Sequence, residues 1–152
     1  MKIWIIYHTK HGNCERVCEE LKSILSGKFD VSSADITKIN PEDIANDLPD
    51  LLIVGSRIII GRPDKKVKKF VNKLGSILQN SISKAATIYT HCLKWESNYA
   101  KMANLLEDNK IANEILPEIL NIKMIKMKGP AEPGQENNIN EFAEKVSDFI
   151  EK

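Results

Sequence analysis

The chain has 152 residues, 42% of them hydrophobic and 28% charged, with a formal net charge of +1. These values exclude a disordered chain, fit one domain over residues 1–152 with a sizeable core, and imply no general attraction to polyanions such as nucleic acid. Three cysteines, an odd number, argue against a secreted disulfide framework, and the apolar run Ile3 to Tyr7 is too short for a secretory or membrane-spanning segment, so the expectation is a cytoplasmic protein, monomeric or weakly dimeric.

In chain order, Lys2 to Tyr7 is almost continuously apolar, as suits a parallel strand covered on both faces. Cys14 to Leu25 predicts a helix with Val17, Cys18, Leu21, Ile24 and Leu25 inward, stopped by Gly27. Phe29 to Ile36 reads as a second, weaker strand, and Pro41 to Leu48 as a short helix or turn. Leu51 to Val54 is a third strand, ended by Gly55. Asp64 caps a helix over Lys65 to Leu78, with Val67, Phe70, Val71, Leu74 and Leu78 on one face. Its lysines Lys65, Lys66, Lys68 and Lys69 read as a solvated face. Ala85 to Cys92 forms a fourth strand, followed by a helix over Glu96 to Asn109 with Tyr99, Met102, Ala103 and Leu106 inward. Residues 110–117 are ambiguous, with Pro117 expected to close a small helical extension. Ile122 to Met127, alternating with lysines, is the expected edge strand. Gly129-Pro130 and Pro133-Gly134 lead to a last helix, Asn138 to Ile150, with Ile139, Phe142, Val146 and Ile150 inward.

Strand and helix alternate throughout, which predicts an α/β three-layer sandwich: a doubly wound, five-stranded parallel sheet in the order 2-1-3-4-5. Such sheets bind ligands beyond the carboxyl ends of their strands, where the order switches between strands one and three. Three loops fall there. The first runs from His8 to Cys14; Gly12 lets the backbone curl so that peptide N–H groups converge at a helix N-terminus, an anion site, while Thr9 and Asn13 add side-chain donors. A plain strand-to-helix turn capped by Asn13 is the structural alternative.

Thr9-Lys10-His11-Gly12-Asn13-Cys14 resembles the Ser/Thr-x-Thr-Gly-Asn-Thr loop with which flavodoxins wrap the phosphate of flavin mononucleotide (FMN). Thr9, Gly12 and Asn13 match; His11 and Cys14 stand where the family usually has threonines, leaving a ring nitrogen at 11 and the backbone N–H at 14. The second loop, Gly55-Ser56-Arg57-Ile58-Ile59-Ile60-Gly61-Arg62-Pro63, is similar to the family's Gly-Ser-x-x-x-x-Gly-x-Pro segment along one face of the flavin ring. The resemblance places Gly61 beside flavin N5 and three isoleucines where the family has an aromatic; read without it, they extend the strand core. The third loop carries His91, Cys92, Leu93 and Trp95 where flavodoxins cover the other ring face, and Trp95 either stacks there or caps the sheet end. Lys128 to Gly134 before the last helix also resembles the family.

Rival chemistries lack their residues. The chain has no Cys-x-x-Cys pair, no Gly-x-x-x-x-Gly-Lys-Ser/Thr phosphate loop and no acidic set for a phosphorylatable receiver domain. His8, His11 and His91 could gather at the strand ends, and Cys14 at a helix start could be a reactive thiol. The resemblance implies FMN as cofactor, no catalytic residue set and no metal. It also implies a carrier passing electrons between redox partner proteins. The alternatives are a quinone- or protoporphyrinogen-type FMN oxidoreductase and a fold relative that lost FMN and serves as a binding module. Arg57, Arg62 and Lys94 in the flavin loops would favour partners with an acidic docking face.

Overall fold

The strands Lys2–Tyr7, Leu51–Ile59, Ile82–His91 and Ala112–Lys123 alternate their side chains between two apolar layers, and those layers explain the architecture. The computed structural model describes residues 1–59, 62–92, 100–126 and 129–152. Among them the elements run β1 (Lys2–Tyr7), α1 (Asn13–Leu25), β2 (Asp30–Asp35), α2 (Pro41–Asn46), β3 (Leu51–Ile59), β4 (Arg62–Pro63), α3 (Lys65–Ile77), β5 (Ile82–His91), α4 (Ala100–Asp108), β6 (Ala112–Lys123) and α5 (Gln135–Glu151). The sheet order is β2-β1-β3-β5-β6, with every neighbouring pair parallel. This is the expected doubly wound order, plus the two-residue β4 folded antiparallel onto the end of β3.

On β1, Ile3, Ile5 and Tyr7 pack with Leu51 and Ile53 of β3 under α1 and α5. Ile6 of β1 turns the other way, joining Leu52 and Val54 of β3 under α2, α3 and α4. Helices therefore cover both faces, and the apolar runs of β1 and β3 are what a strand buried on both sides requires. The inward faces of α3 (Val67, Phe70, Val71, Leu74) and α5 (Ile139, Phe142, Val146, Ile150) are buried as their spacing predicts. On α1 the stripe is narrower than expected, and Ile24 is exposed. Tyr89 of β5 is fully buried, and its hydroxyl accepts the backbone N–H of Met102 at 2.8 Å, tying the first part of α4 to the sheet. Burial pushes the Tyr89 phenol up to about 12.

Two boundaries differ most from expectation, while the fourth strand and the last helix each begin three residues earlier, at Ile82 and Gln135. The third strand does not stop at Gly55 but continues to Ile59, hydrogen-bonded along β5 as far as Arg57. Gly55 is needed there for space: a Cβ would stand 3.0 Å from the Cys18 sulfur and 3.1 Å from that of Cys14. The edge strand lies earlier than its lysine alternation suggested, and Pro117 sits within it instead of closing a helix. Ala85 pairs with Ile115 and Thr87 with Ile119, so β6 takes four steps where β5 takes two. The extra residues bulge at Leu116 to Glu118, which is where an edge strand tolerates a residue without an N–H. Past Lys123, Met124 makes one antiparallel bridge to Ala131 and Ile125 is exposed, so the edge strand expected over Ile122 to Met127 ends at Lys123, and Met127 lies outside the described residues.

Candidate functional site

Tyr7, Gly55 and Ile88 lie level across β1, β3 and β5, and the chain segments beyond them form the carboxyl edge of the sheet. There β1 gives way to the His8–Gly12 loop at the switch between β1 and β3. Gly12 is the N-cap of α1 and sits at φ +83°, in the left-handed region that glycine enters without strain. The first intrahelical bond runs from Arg16 N–H to Gly12 C=O at 3.0 Å. The N–H groups before it, among them those of Cys14 and Glu15, lie ahead of the helical ladder at the positive end of the helix.

The loop is held from three sides. Gly12 N–H donates to Thr9 Oγ1 at 2.8 Å, closing a tight internal turn. Below it, Asp35 at the end of β2 meets His8 Nδ1 at 3.3 Å and Thr9 N–H at 3.4 Å, and also accepts the N–H and hydroxyl of Thr37 at 2.8 and 2.7 Å. Burial alone would raise the Asp35 carboxyl; the hydrogen bonds from Thr37 and His8 outweigh it and hold the group below its usual range. On the other side, Arg16 Nη2 donates to Asn13 Oδ1, and Gly129 approaches so closely that a Cβ there would lie 2.6 Å from that oxygen. Asp35 and Arg16 were absent from the sequence reading, and Gly129 was read only as part of a turn before the last helix. The Asp-x-Thr spacing of Asp35 and Thr37, typical of a side chain closing its own turn, was the one signal available for the first.

The remaining residues of this loop divide by exposure. Lys10 is exposed and His11 half-buried. Cys14 is 1% exposed with its side chain in the core beside Cys18, so only its backbone faces the loop. The reactive-thiol reading of Cys14 fails on this burial. The Cys18 thiol is pushed well up, first by burial and then by its hydrogen bond with Cys14. His8 turns to Asp35 on β2, while His91 ends β5, with β3 between β1 and β5.

The second loop is anchored at both ends by one residue, Asp64. Its N–H donates to Ser56 Oγ at 2.9 Å, its Oδ2 accepts Arg57 Nε at 3.0 Å, and its Oδ1 caps α3 by accepting Lys66 N–H at 2.8 Å. Sequence reasoning found the cap but not the ion pair, which partners the Arg57 charge with Asp64. Ile58 is half-buried and Ile59 ends β3, which supports the strand-extension reading of the isoleucines as far as Ile59. Ile60 and Gly61 of this loop, and Leu93, Lys94 and Trp95 of the third, lie outside the described residues. At the start of the third loop His91 is buried, its carbonyl accepts Met124 N–H at 2.8 Å, and Cys92 is half-buried. Among the described residues no helix is long and apolar enough to cross a membrane, and no group of three or more metal-ligating side chains occurs.

A family model described as a flavodoxin domain matches residues 4–115. Among solved structures the chain is similar to a flavodoxin from the domain Archaea, at 13% identity and a TM-score of 0.76, each chain covered over 100%. It is also similar to flavodoxin 2 from Bacillus cereus, at 18% identity and a TM-score of 0.75, covering 98% of this chain and 99% of that one. Rubredoxin oxygen:oxidoreductase from Desulfovibrio gigas matches at 13% identity and a TM-score of 0.79, over 99% of this chain but 36% of that one. No curated protein matches significantly.

Proposed function

The chain belongs to the flavodoxin domain family, and on that premise we propose that it binds FMN at the switch point and carries electrons between redox partner proteins in the cytoplasm. The observation that carries this reading is the left-handed Gly12 opening α1 at the end of β1. It supplies a concave backbone at the positive end of a helix, where a phosphate fits without any side-chain cation. In this reading the N–H groups of Cys14 and Glu15 bind the phosphate, with Lys10, His11 and Asn13 around it. Thr9 adds its hydroxyl proton: its Oγ1 already accepts from Gly12, which leaves the O–H to donate. Asp35 positions the loop from beneath and touches no ligand.

Ser56, Arg57, Ile58, Ile59, Ile60 and Gly61 would line one face of the ring, and His91, Cys92, Leu93 and Trp95 the other, as the family resemblance implies. When bound, FMN supplies the redox chemistry; the protein binds it, orients it and limits its contact with water. Asp64 already holds Ser56 and Arg57 against the far end of the 56–64 loop, so fixing those ends on binding costs less. No residue set here proposes substrate chemistry, which favours a carrier over an oxidoreductase. With the chain loaded with FMN and chemically reduced, a carrier delivers its electrons once per flavin to a protein acceptor. It shows no saturable turnover with quinones or protoporphyrinogen. Saturable turnover with either would replace the carrier with the enzyme.

A further inference from the structure

Helix α3 carries its charges at the wrong end for its own stability. Lys65, Lys66, Lys68 and Lys69 crowd its first two turns, all exposed, while the first turn contains no acidic residue and the last turn no basic one. A helix N-terminus bears positive partial charge, so cations belong at the opposite end. Lys65 also faces Lys68 and Lys69 at spacings of three and four, and Lys66 faces Lys69, pairs that repel on a helix surface. The one carboxylate at this end, Asp64, is engaged by Lys66 N–H and by Arg57. Among the described residues none of these four lysines has an ion pair, whereas Lys73 further along reaches Glu42 at 3.9 Å. Exposed Arg62 extends the patch to five cations within eight residues, on a chain whose net charge is only +1.

Local stability argues against this arrangement, so a solvated face alone does not account for it. We propose that the N-terminal half of α3, together with Arg62, is a docking surface for an acidic protein that exchanges electrons with this chain. The exchange rests on the FMN reading above; the charge complementarity does not. The position suits the role, because α3 follows directly on the 56–64 loop and its cationic end therefore rims the proposed site. A protein fits better than a nucleic acid: the patch is short, its one aromatic, Phe70, is buried and cannot stack on bases, and the rest of the chain, with 17 Lys and Arg against 21 Asp and Glu, is net negative and repels a long polyanion.

The test replaces Lys65, Lys66, Lys68 and Lys69 together with glutamate, K65E/K66E/K68E/K69E; their side chains make none of the ligand loops' hydrogen bonds, and the backbone N–H groups of Lys66 and Lys68 that bond Asp64 are kept. The probes are an acidic plant-type ferredoxin, a basic cytochrome c and duplex DNA, titrated calorimetrically at low and physiological salt. The parent chain should prefer the ferredoxin over cytochrome c and lose about tenfold in affinity as salt rises. The variant should lose at least tenfold for the ferredoxin, gain affinity for cytochrome c, and melt a few degrees higher at low salt with unchanged FMN affinity. Equal parent affinity for the two carriers, unchanged ferredoxin binding in the variant, or a lower melting temperature overturns the proposal. DNA binding the parent more tightly than ferredoxin also overturns it, in favour of a nucleic acid. If the parent binds no FMN but keeps the ferredoxin preference, the cofactor reading falls and the docking face stands.

Discussion

Replacing Asp64 should cost more than an ordinary helix cap, because one carboxylate serves two purposes. Asp64→Ala removes the acceptor for Lys66 N–H, worth about 1 kcal/mol in a typical cap. It also strands Arg57: Asp64 is 4% exposed and the Arg57 side chain 25% exposed, so their 3.0 Å contact is largely shielded. A charge-assisted bond of this kind contributes about 1.5–3 kcal/mol. Together the loss should be roughly 2–4 kcal/mol. Asp64→Asn keeps a cap acceptor and gives up the charge, so it should lose about 1–2 kcal/mol. The two terms separate in urea melts of Asp64→Ala, Asp64→Asn, Arg57→Gln and the double variant Asp64→Ala/Arg57→Gln, with a coupling energy of about 1 kcal/mol or more expected. FMN affinity should fall in step, since the Arg57–Asp64 pair also joins the two ends of the 56–64 loop. If both Asp64 variants stay within about 0.5 kcal/mol of the parent, or the cycle shows no coupling, the brace is not what holds this loop.

Gly12→Val should weaken FMN binding by tenfold or more and cost about 1–3 kcal/mol of stability. The cause is conformational and not a clash, because a Cβ at Gly12 would meet nothing closer than Arg16 Nη1 at 3.5 Å, whereas φ +83° is forbidding for a β-branched residue; unchanged FMN affinity would place the phosphate elsewhere. The folded Asp35 carboxyl titrates below its usual value, so its stabilising contribution is complete above the ordinary carboxyl range near pH 4 and is lost as pH falls below it. Urea midpoints measured from pH 2 to 7 should therefore fall less steeply on the acid side in Asp35→Asn than in the parent, and parallel curves would contradict the assignment. In native protein a thiol reagent should modify Cys92 alone at first, because Cys14 and Cys18 are 1% and 0% exposed; rapid modification of two thiols would show that the α1 face of the core opens.

The parallel order and most buried faces were legible because they rest on composition along single elements. Continuous apolar runs in β1 and β3 can be satisfied only between two helical layers, and the stripes of α3 and α5 have the right period. The edge strand was not legible, because Pro117 ordinarily ends structure. That the sheet would absorb it in a bulge depends on register with β5, which no local pattern reports. Gly55 misled in the same way: it looked like a stop, but its role is to admit two cysteine sulfurs from α1. At the site, Gly12 and the Asp64 cap could be read from neighbouring residues. The Asp35 support and the Arg57–Asp64 pair could not, since the first joins two strands and the second closes a loop across seven positions.

The central claim, that the Gly12 turn holds the phosphate of FMN, is tested most directly by calorimetric titration with FMN and with riboflavin, which lacks the phosphate. The account predicts one FMN bound per chain with quenching of flavin fluorescence, and riboflavin bound at least tenfold more weakly, a difference that Gly12→Val abolishes. Equal affinity for the two flavins, or no binding of FMN at all, would contradict it.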